Sequence, residues 1–155
     1  MTSITANQVY RVLDAYLHKL NNPSPAADPA LSDEQNALLT YLRMDSIVED
    51  HGFITLIAQG YGAAILTERM SQYLHQWRLA RTARLFDQAR ALYQQHGATI
   101  ESLAAQQASL DTLRQHFSDF TPLDEEYYLH CEDDFIAMFN HVRQHFDCFN
   151  ILKPA

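Results

Sequence analysis

Two cysteines, Cys131 and Cys148, are all that 155 residues contain, and they make no disulfide framework. Both are expected as free thiols on or near the core, in a reducing compartment. Basic residues are scarce as well: Lys+Arg 11 against Asp+Glu 19 gives a net charge of -8. That is the wrong sign for a protein that grips a phosphate backbone by displacing its counterions, so direct nucleic-acid binding is excluded as an expectation. No window approaches eighteen uninterrupted apolar residues, and the first twenty residues carry Arg11, Asp14 and Lys19 with no basic segment leading into an apolar one. The expected location is therefore cytoplasmic and off the membrane. Catalytic signatures are missing too. There is no Ser-His-Asp ordering, Gly-rich phosphate loop or nucleotide fingerprint, and neither Cys-x-x-Cys nor His-Glu-x-x-His. The expectation is a non-enzyme with no cofactor.

What is present reads as helix. A hydrophobic fraction of 47% and a charged fraction of 19% suit a chain that folds along most of its length, with one domain spanning residues 1–155. Val9, Val12 or Leu13, Tyr16 or Leu17, and Leu20 form a stripe at helical spacing, with Thr5 or Asn7 as cap. Asn21 to Ala30 holds three of the five prolines and reads as a linker inside the domain, over about residues 21–31. Ser32 to Gln35 then has the form of a capping box, followed by Leu38, Leu39, Leu42 and Ile47 as a buried face.

His51 to Gly62 contains Gly52, Gly60 and Gly62 around an apolar run whose period does not separate helix from strand. Gly52 and Gly60 are expected to permit turns or close packing, with Phe53, Leu56 and Ile57 entering the core. Helical patterning resumes from Ala63 to His96 with a break near Trp77. Gly97 is placed as the left-handed residue past a helix end, and Thr99 as the cap of a further helix through about His116. The sum is an all-α, single compact domain of six to eight helices.

The segment from Thr121 to Phe149 is the most distinctive. Phe135, Phe139, Val142, Phe146 and Phe149 recur at steps of four, three, four and three, and Phe135, Phe139, Val142 and Phe146 are expected to be buried. Thr121-Pro122 supplies a helix start. Six carboxylates fall within eleven residues: Asp124, Glu125, Glu126, Glu132, Asp133 and Asp134. Residues three or four apart on a helix lie about 5–6 Å from one another, a density that can imitate a phosphate row to a basic protein. These six are the expected partner-binding residues, extended by Asp45, Glu49 and Asp50 if the second helix lies alongside. The competing reading is a solvated face with helix N-terminal charges. Arg78, Arg81 and Arg84 sweep one face of another helix, where they receive an anion, face solvent, or pair with the acidic segment. His141, His145 and Cys148, at i, i+4 and i+7, offer two imidazoles and a thiol, donors of the kind zinc or copper takes. A metal-dependent enzyme built on them, and a toxin-neutralising binding protein, are the alternatives to a plain interaction module.

Asp45 to Gly62 with its Glu-Asp-His-Gly-Phe core, and Phe120-Thr-Pro-Leu-Asp-Glu-Glu-Tyr-Tyr running on to Phe149, resemble the bacterial DNA-mimic protein family of the DMP-nineteen type. The likeness covers about residues 38–149. Matching positions are Gly52 and Phe53 in the central turn, and Leu123, Asp124, Tyr127 and Phe149 near the end. Glu49, Asp50 and His51 stand where the family usually shows Asn or Gly. The resemblance implies an all-helical, dimer-capable protein that presents DNA-like negative charge to a DNA-binding protein partner.

Overall fold

Half of the helices begin where the side chain just before them can close the first turn. The computed structural model describes residues 3–152. Helix α1 (Ala6–Lys19) opens on a capping box: the Gln8 N–H donates to Thr5 Oγ1 at 3.2 Å and the Thr5 N–H to Gln8 Oε1 at 2.8 Å. Helix α2 (Asp33–Ala58) repeats the device with Ser32 and Gln35, at 3.1 and 2.9 Å. The short α3 (Gly62–Ile65) leads to α4 (Glu68–Gln76), capped by Thr67, and α6 (Leu110–His116) is capped by Ser109. Two long helices complete the fold, α5 (Ala80–Ala105) and α7 (Thr121–Gln144), followed by the single turn α8 (Phe146–Phe149). A 3-10 turn, Ser118–Phe120, feeds α7. Among the described residues there is no strand.

The three long helices α2, α5 and α7 each pack on the other two, and one continuous apolar cluster runs between them. Helix α1 adds Val9, Val12, Leu13 and Tyr16 to it, all buried. The C-terminal turn is fastened by two polar contacts from elsewhere in the chain. Tyr16 donates its hydroxyl to the Phe149 carbonyl at 2.6 Å, and Gln35 Nε2 donates to the Cys148 carbonyl at 2.9 Å.

The proline-rich stretch carries no helix, yet it is held in place. Asn36 accepts from the Asp28 N–H and donates to the carbonyls of Asp28, Leu31 and Ser32, while Arg43 donates to the Asn22 and Ser24 carbonyls and Tyr61 to that of Pro23.

Three expectations are corrected. Gly97 does not end a helix. It lies buried inside α5, where an added Cβ would come within 2.4 Å of the Tyr93 ring, so glycine serves ring packing at this point. Helix α5 runs on to Ala105, with Thr99 inside it, and the left-handed position is Gln107 at φ 66°. The Ala108 N–H closes that end by donating to the Leu103 carbonyl at 3.0 Å. The Phe seam of α7 is also displaced. Leu123, Tyr127, Asp134, Met138 and Val142 are the buried positions, and Phe135, Phe139 and Phe146 are half-buried at the edge. Helix α7 ends at Gln144, because His145 departs to φ -116° and ψ 39°, so Phe146 and Phe149 belong to a separate turn.

The displaced seam has a measurable consequence. Met138→Ala is expected to cost about 2–5 kcal/mol in chemical denaturation, as for other fully buried large-to-small changes. Phe139→Ala, at the edge, is expected to cost less than Met138→Ala, and the reverse order would restore the original seam.

Candidate functional site

Helix α2 does not run straight. At Gly52 the backbone leaves helical values for φ 85° and ψ 170°, a region that residues with a Cβ rarely adopt. The chain restarts as helix at Phe53, whose N–H donates to Asp124 Oδ1 at 2.8 Å. Asp124 thus does from α7 what a capping side chain normally does from the preceding residue. A Cβ on Gly52 would come within 2.4 Å of Asp124 Oδ2, so glycine is required for the approach as well as the angle. The carbonyl of His51, released by the break, accepts from Thr55 Oγ1 at 2.9 Å and Arg114 Nη2 at 3.0 Å.

Ten residues further along α7 the same device recurs. Helix α5 has Leu79 at its cap, which offers no side-chain acceptor, and Asp134 Oδ2 accepts the Thr82 N–H at 2.6 Å instead. Asp134 is 7% exposed and belongs to the interior. Tyr127, between these two, donates to Asp45 Oδ1 at 2.7 Å and meets the Phe53 ring edge-on at 5.8 Å. Gly52, Phe53, Leu123, Asp124 and Tyr127, separate in sequence, meet at one junction of α2 and α7.

The acidic run therefore divides three ways. Asp124 and Asp134 turn inward as caps. Glu126 pairs with Arg84, and Asp133 with Arg81 at 3.2 Å, while Arg81 also meets His130 Nδ1 at 2.9 Å. Two of the three arginines thus join α7 to α5 through exposed pairs, worth about 0–1 kcal/mol each. Glu125 and Glu132 remain open, seven residues apart and so roughly 10 Å along the helix. Helix α2 does lie alongside and adds Asp45, Glu49 and Asp50. Two adjoining grooves follow this junction and share Glu49 and Tyr128. One, of about 550 Å³, is lined by Asp45, Glu49, Glu132, Tyr128, Leu129 and Phe135; the other, of about 520 Å³, reaches Asp50, Asp124 and Glu125. Leu129 and Tyr128, 73% and 67% exposed, form the ridge beside them.

Burial has lifted two of these carboxyls. Asp45 is pushed up to about 6, first by desolvation and then by Glu49 and Asp50, against the pull of the Tyr127 hydrogen bond. Asp124 is also raised to about 6, by desolvation and by Glu125, opposed by the Phe53 N–H and by Arg114.

The His141, His145 and Cys148 stripe is interrupted by the break at His145. The His141 ring packs beside Trp77 and Phe149, with centroids 5.7 Å from each, and on His145 at 4.5 Å, and its Nε2 lies 4.0 Å from Glu34. Cys148 Sγ sits on the far side of that carboxylate, at 3.3 Å. Burial and the Glu34 hydrogen bond push the thiol up, which disfavours the thiolate a metal would take. Among the described residues, no three His, Cys, Asp or Glu side chains gather in a way that could hold a metal ion. Nor is any described helix long and apolar enough to cross a membrane.

Fold and face define a class: an all-helical acidic protein with open carboxylate grooves between two of its long helices. The chain belongs to the family described as DMP19-like protein, whose model matches residues 29–145. It is 35% identical over 147 residues to DNA mimic protein DMP19 of Neisseria meningitidis serogroup B (strain ATCC BAA-335 / MC58), covering 95% of this chain and 89% of that relative. The resemblance read from the Gly52 and Asp124 segments is thereby borne out.

The lifted carboxyls set a pH dependence. Between about pH 4 and 6 the folded protein holds protons on Asp45 and Asp124 that the unfolded chain has released, so their contribution to stability falls as pH rises through that window. Asp45→Asn keeps an acceptor for Tyr127 and removes one titration. The variant is expected to gain on wild type between pH 4.5 and 7 by about 1–2 kcal/mol in urea unfolding. His141, whose lowered affinity for protons works in the opposite sense, is common to both proteins and cancels in the difference. Parallel pH profiles would show that Asp45 is not raised.

Proposed function

We propose that this chain is a non-enzymatic, DNA-mimic-like interaction module, acting in the cytoplasm, that binds a basic, DNA-binding protein partner through the α2/α7 face. The observation that carries the reading is the sorting of the carboxylates. Those needed by the fold are turned inward or paired with Arg81 and Arg84, and those left over gather along one junction. Glu49, Asp50, Glu125 and Glu132 make no ion pair among the described residues, and neither does Asp45, which accepts from Tyr127 at the base of the face. Unpaired like charge raises the local concentration of cationic surfaces and orients their approach. A relative bearing the name DNA mimic protein supports the same reading. Within the original acidic run, Glu125 and Glu132 contact the partner directly, Glu126 and Asp133 contribute from the rim, and Asp124 and Asp134 hold the frame. The reading includes a homodimer, with the apolar edge of Tyr10, Leu17 and Ile136 as the face a second copy covers.

The test is kinetic. With a partner recovered by affinity capture, the variant Glu49→Gln, Asp50→Asn, Glu125→Gln, Glu132→Gln is expected to associate about tenfold more slowly or worse at low salt. The difference should shrink as the Debye length falls to about 8 Å and below. Stability should stay within about 0.5 kcal/mol of wild type, since none of the four is buried. Association at the wild-type rate would remove the α2/α7 face from the reading.

A further inference from the structure

His141 and His145 have no part in the acidic face, and they meet where the C-terminal turn is fastened. Two neighbouring side chains at the head of α2 hold that turn: Gln35 donates to the Cys148 carbonyl at 2.9 Å, and Glu34 accepts from the Cys148 thiol at 3.3 Å. From α1, Tyr16 donates to the Phe149 carbonyl. The turn rests on Trp77, which is 3% exposed and meets the fully buried Phe149 edge-on at 6.0 Å. Two polar atoms at this contact stand idle. Trp77 Nε1 and His141 Nε2 are both buried without a hydrogen-bond partner among the described residues, although their rings lie 5.7 Å apart. His145 crowds the same imidazole, its centroid 4.5 Å away. Glu34 Oε1 faces His141 Nε2 at 4.0 Å, beyond hydrogen-bond reach.

We propose that protonation of His141 releases the C-terminal turn, so that on acidification α8 lifts from the head of α2 and Trp77 is uncovered. An imidazolium carries a hydrogen on both ring nitrogens, and the one on Nε2 would point into a sealed space with its acceptor out of reach. Glu34 cannot close on it without drawing away from the Cys148 thiol, so the turn is disturbed in either case. His145 is exposed and can turn its own charge into water. His141 cannot, because Trp77, Phe149 and the turn cover its Nε2, and water reaches that atom only when the turn moves. The other titratable groups around the turn do not answer the new charge. Cys148 is held to Glu34, Tyr16 is engaged at the Phe149 carbonyl, Arg143 and Asp147 are exposed, and α4 presents the uncharged indole. Burial first, and then His145, lower the affinity of His141 for protons, with Glu34 opposing. A closed turn that disfavours the protonated form opens more readily as pH falls through the histidine range.

Trp77 is the chain's single tryptophan, so its emission and its indole N–H report on the turn directly. The full chain, 15N-labelled, is compared between about pH 7.5 and 5, with exchange rates corrected for the intrinsic rate at each pH. On acidification the emission is expected to move to longer wavelength. Protection of the indole N–H, and of the Cys148, Phe149 and Asn150 amides that donate to the His145 and Phe146 carbonyls, should fall about threefold or more, while amides of the α5 core such as Leu85 and Phe86 hold theirs. His141→Gln, which cannot titrate, should flatten the response. His145→Gln should move it to higher pH and lessen it, and His116→Gln, exposed on α6, should leave it unchanged. A wild-type turn that does not respond, a full response in His141→Gln, or a loss of protection spread evenly through the core would each overturn the proposal. So would a gain in protection, since Glu34 would then be locking the turn on a charged His141. Should His141→Gln fail to fold, the exposed His145→Gln decides, and a response with unmoved midpoint overturns the role of the pair.

Discussion

The fold depends on two carboxylates of α7 acting as caps for helices that start elsewhere. Asp124 receives the first N–H after the break in α2, and Asp134 receives an N–H in the first turn of α5. Both are charge-assisted hydrogen bonds to partial positive charge at a helix N-terminus, among the stronger polar contacts available to a helical protein. They also fix position. Held at two points, one in its first turn and one near its middle, α7 cannot slide along either neighbour without orphaning a backbone donor. Tyr127, held between Asp45 and Phe53, sets the rotation of the helix at the same junction.

That arrangement explains why a run of six carboxylates is a poor guide to surface charge. Neighbours in sequence look toward three different environments: the helix ends, the arginines of α5, and the open grooves. The face that results is shared between α2 and α7, and its most perturbed carboxyls, Asp45 and Asp124, lie at its base. Fold and display are thereby separated on one helix, since the residues that hold α7 in place are not those that stand free.

Local devices were legible in the sequence. The capping box at Ser32 involves residues three apart, Thr5 was one of two caps that the sequence offered for α1, and the stripe of α1 follows from period alone. The turn at Gly52 was readable as a turn, but the partner, Asp124, lies 71 residues beyond Phe53, so the reason for glycine was not. The core face of α7 was misread because Asp134 occupies a buried position while phenylalanines occupy the edge, an inversion of the usual preference that only the backbone of α5 explains. Gly97 was misread for a similar reason, because a ring from the preceding turn of its own helix demands the missing Cβ. The acidic segment was found as a segment. Its division was not, because Arg81, Arg84, Phe53 and Thr82 are all remote from it in sequence.

The break at Gly52 also has an electrostatic effect. It splits α2 into two helices placed end to end, so a positive and a negative pole meet in mid-helix where an unbroken α2 would have neither. Asp124 answers the positive pole. The negative pole, the last carbonyls before Gly52, falls beside Glu49 and Asp50 and is met in part by Arg114 at His51. Backbone partial charge therefore shares that spot with the side chains: the carbonyls released by the break add to the negative charge of Glu49 and Asp50, and the Arg114 guanidinium offsets it.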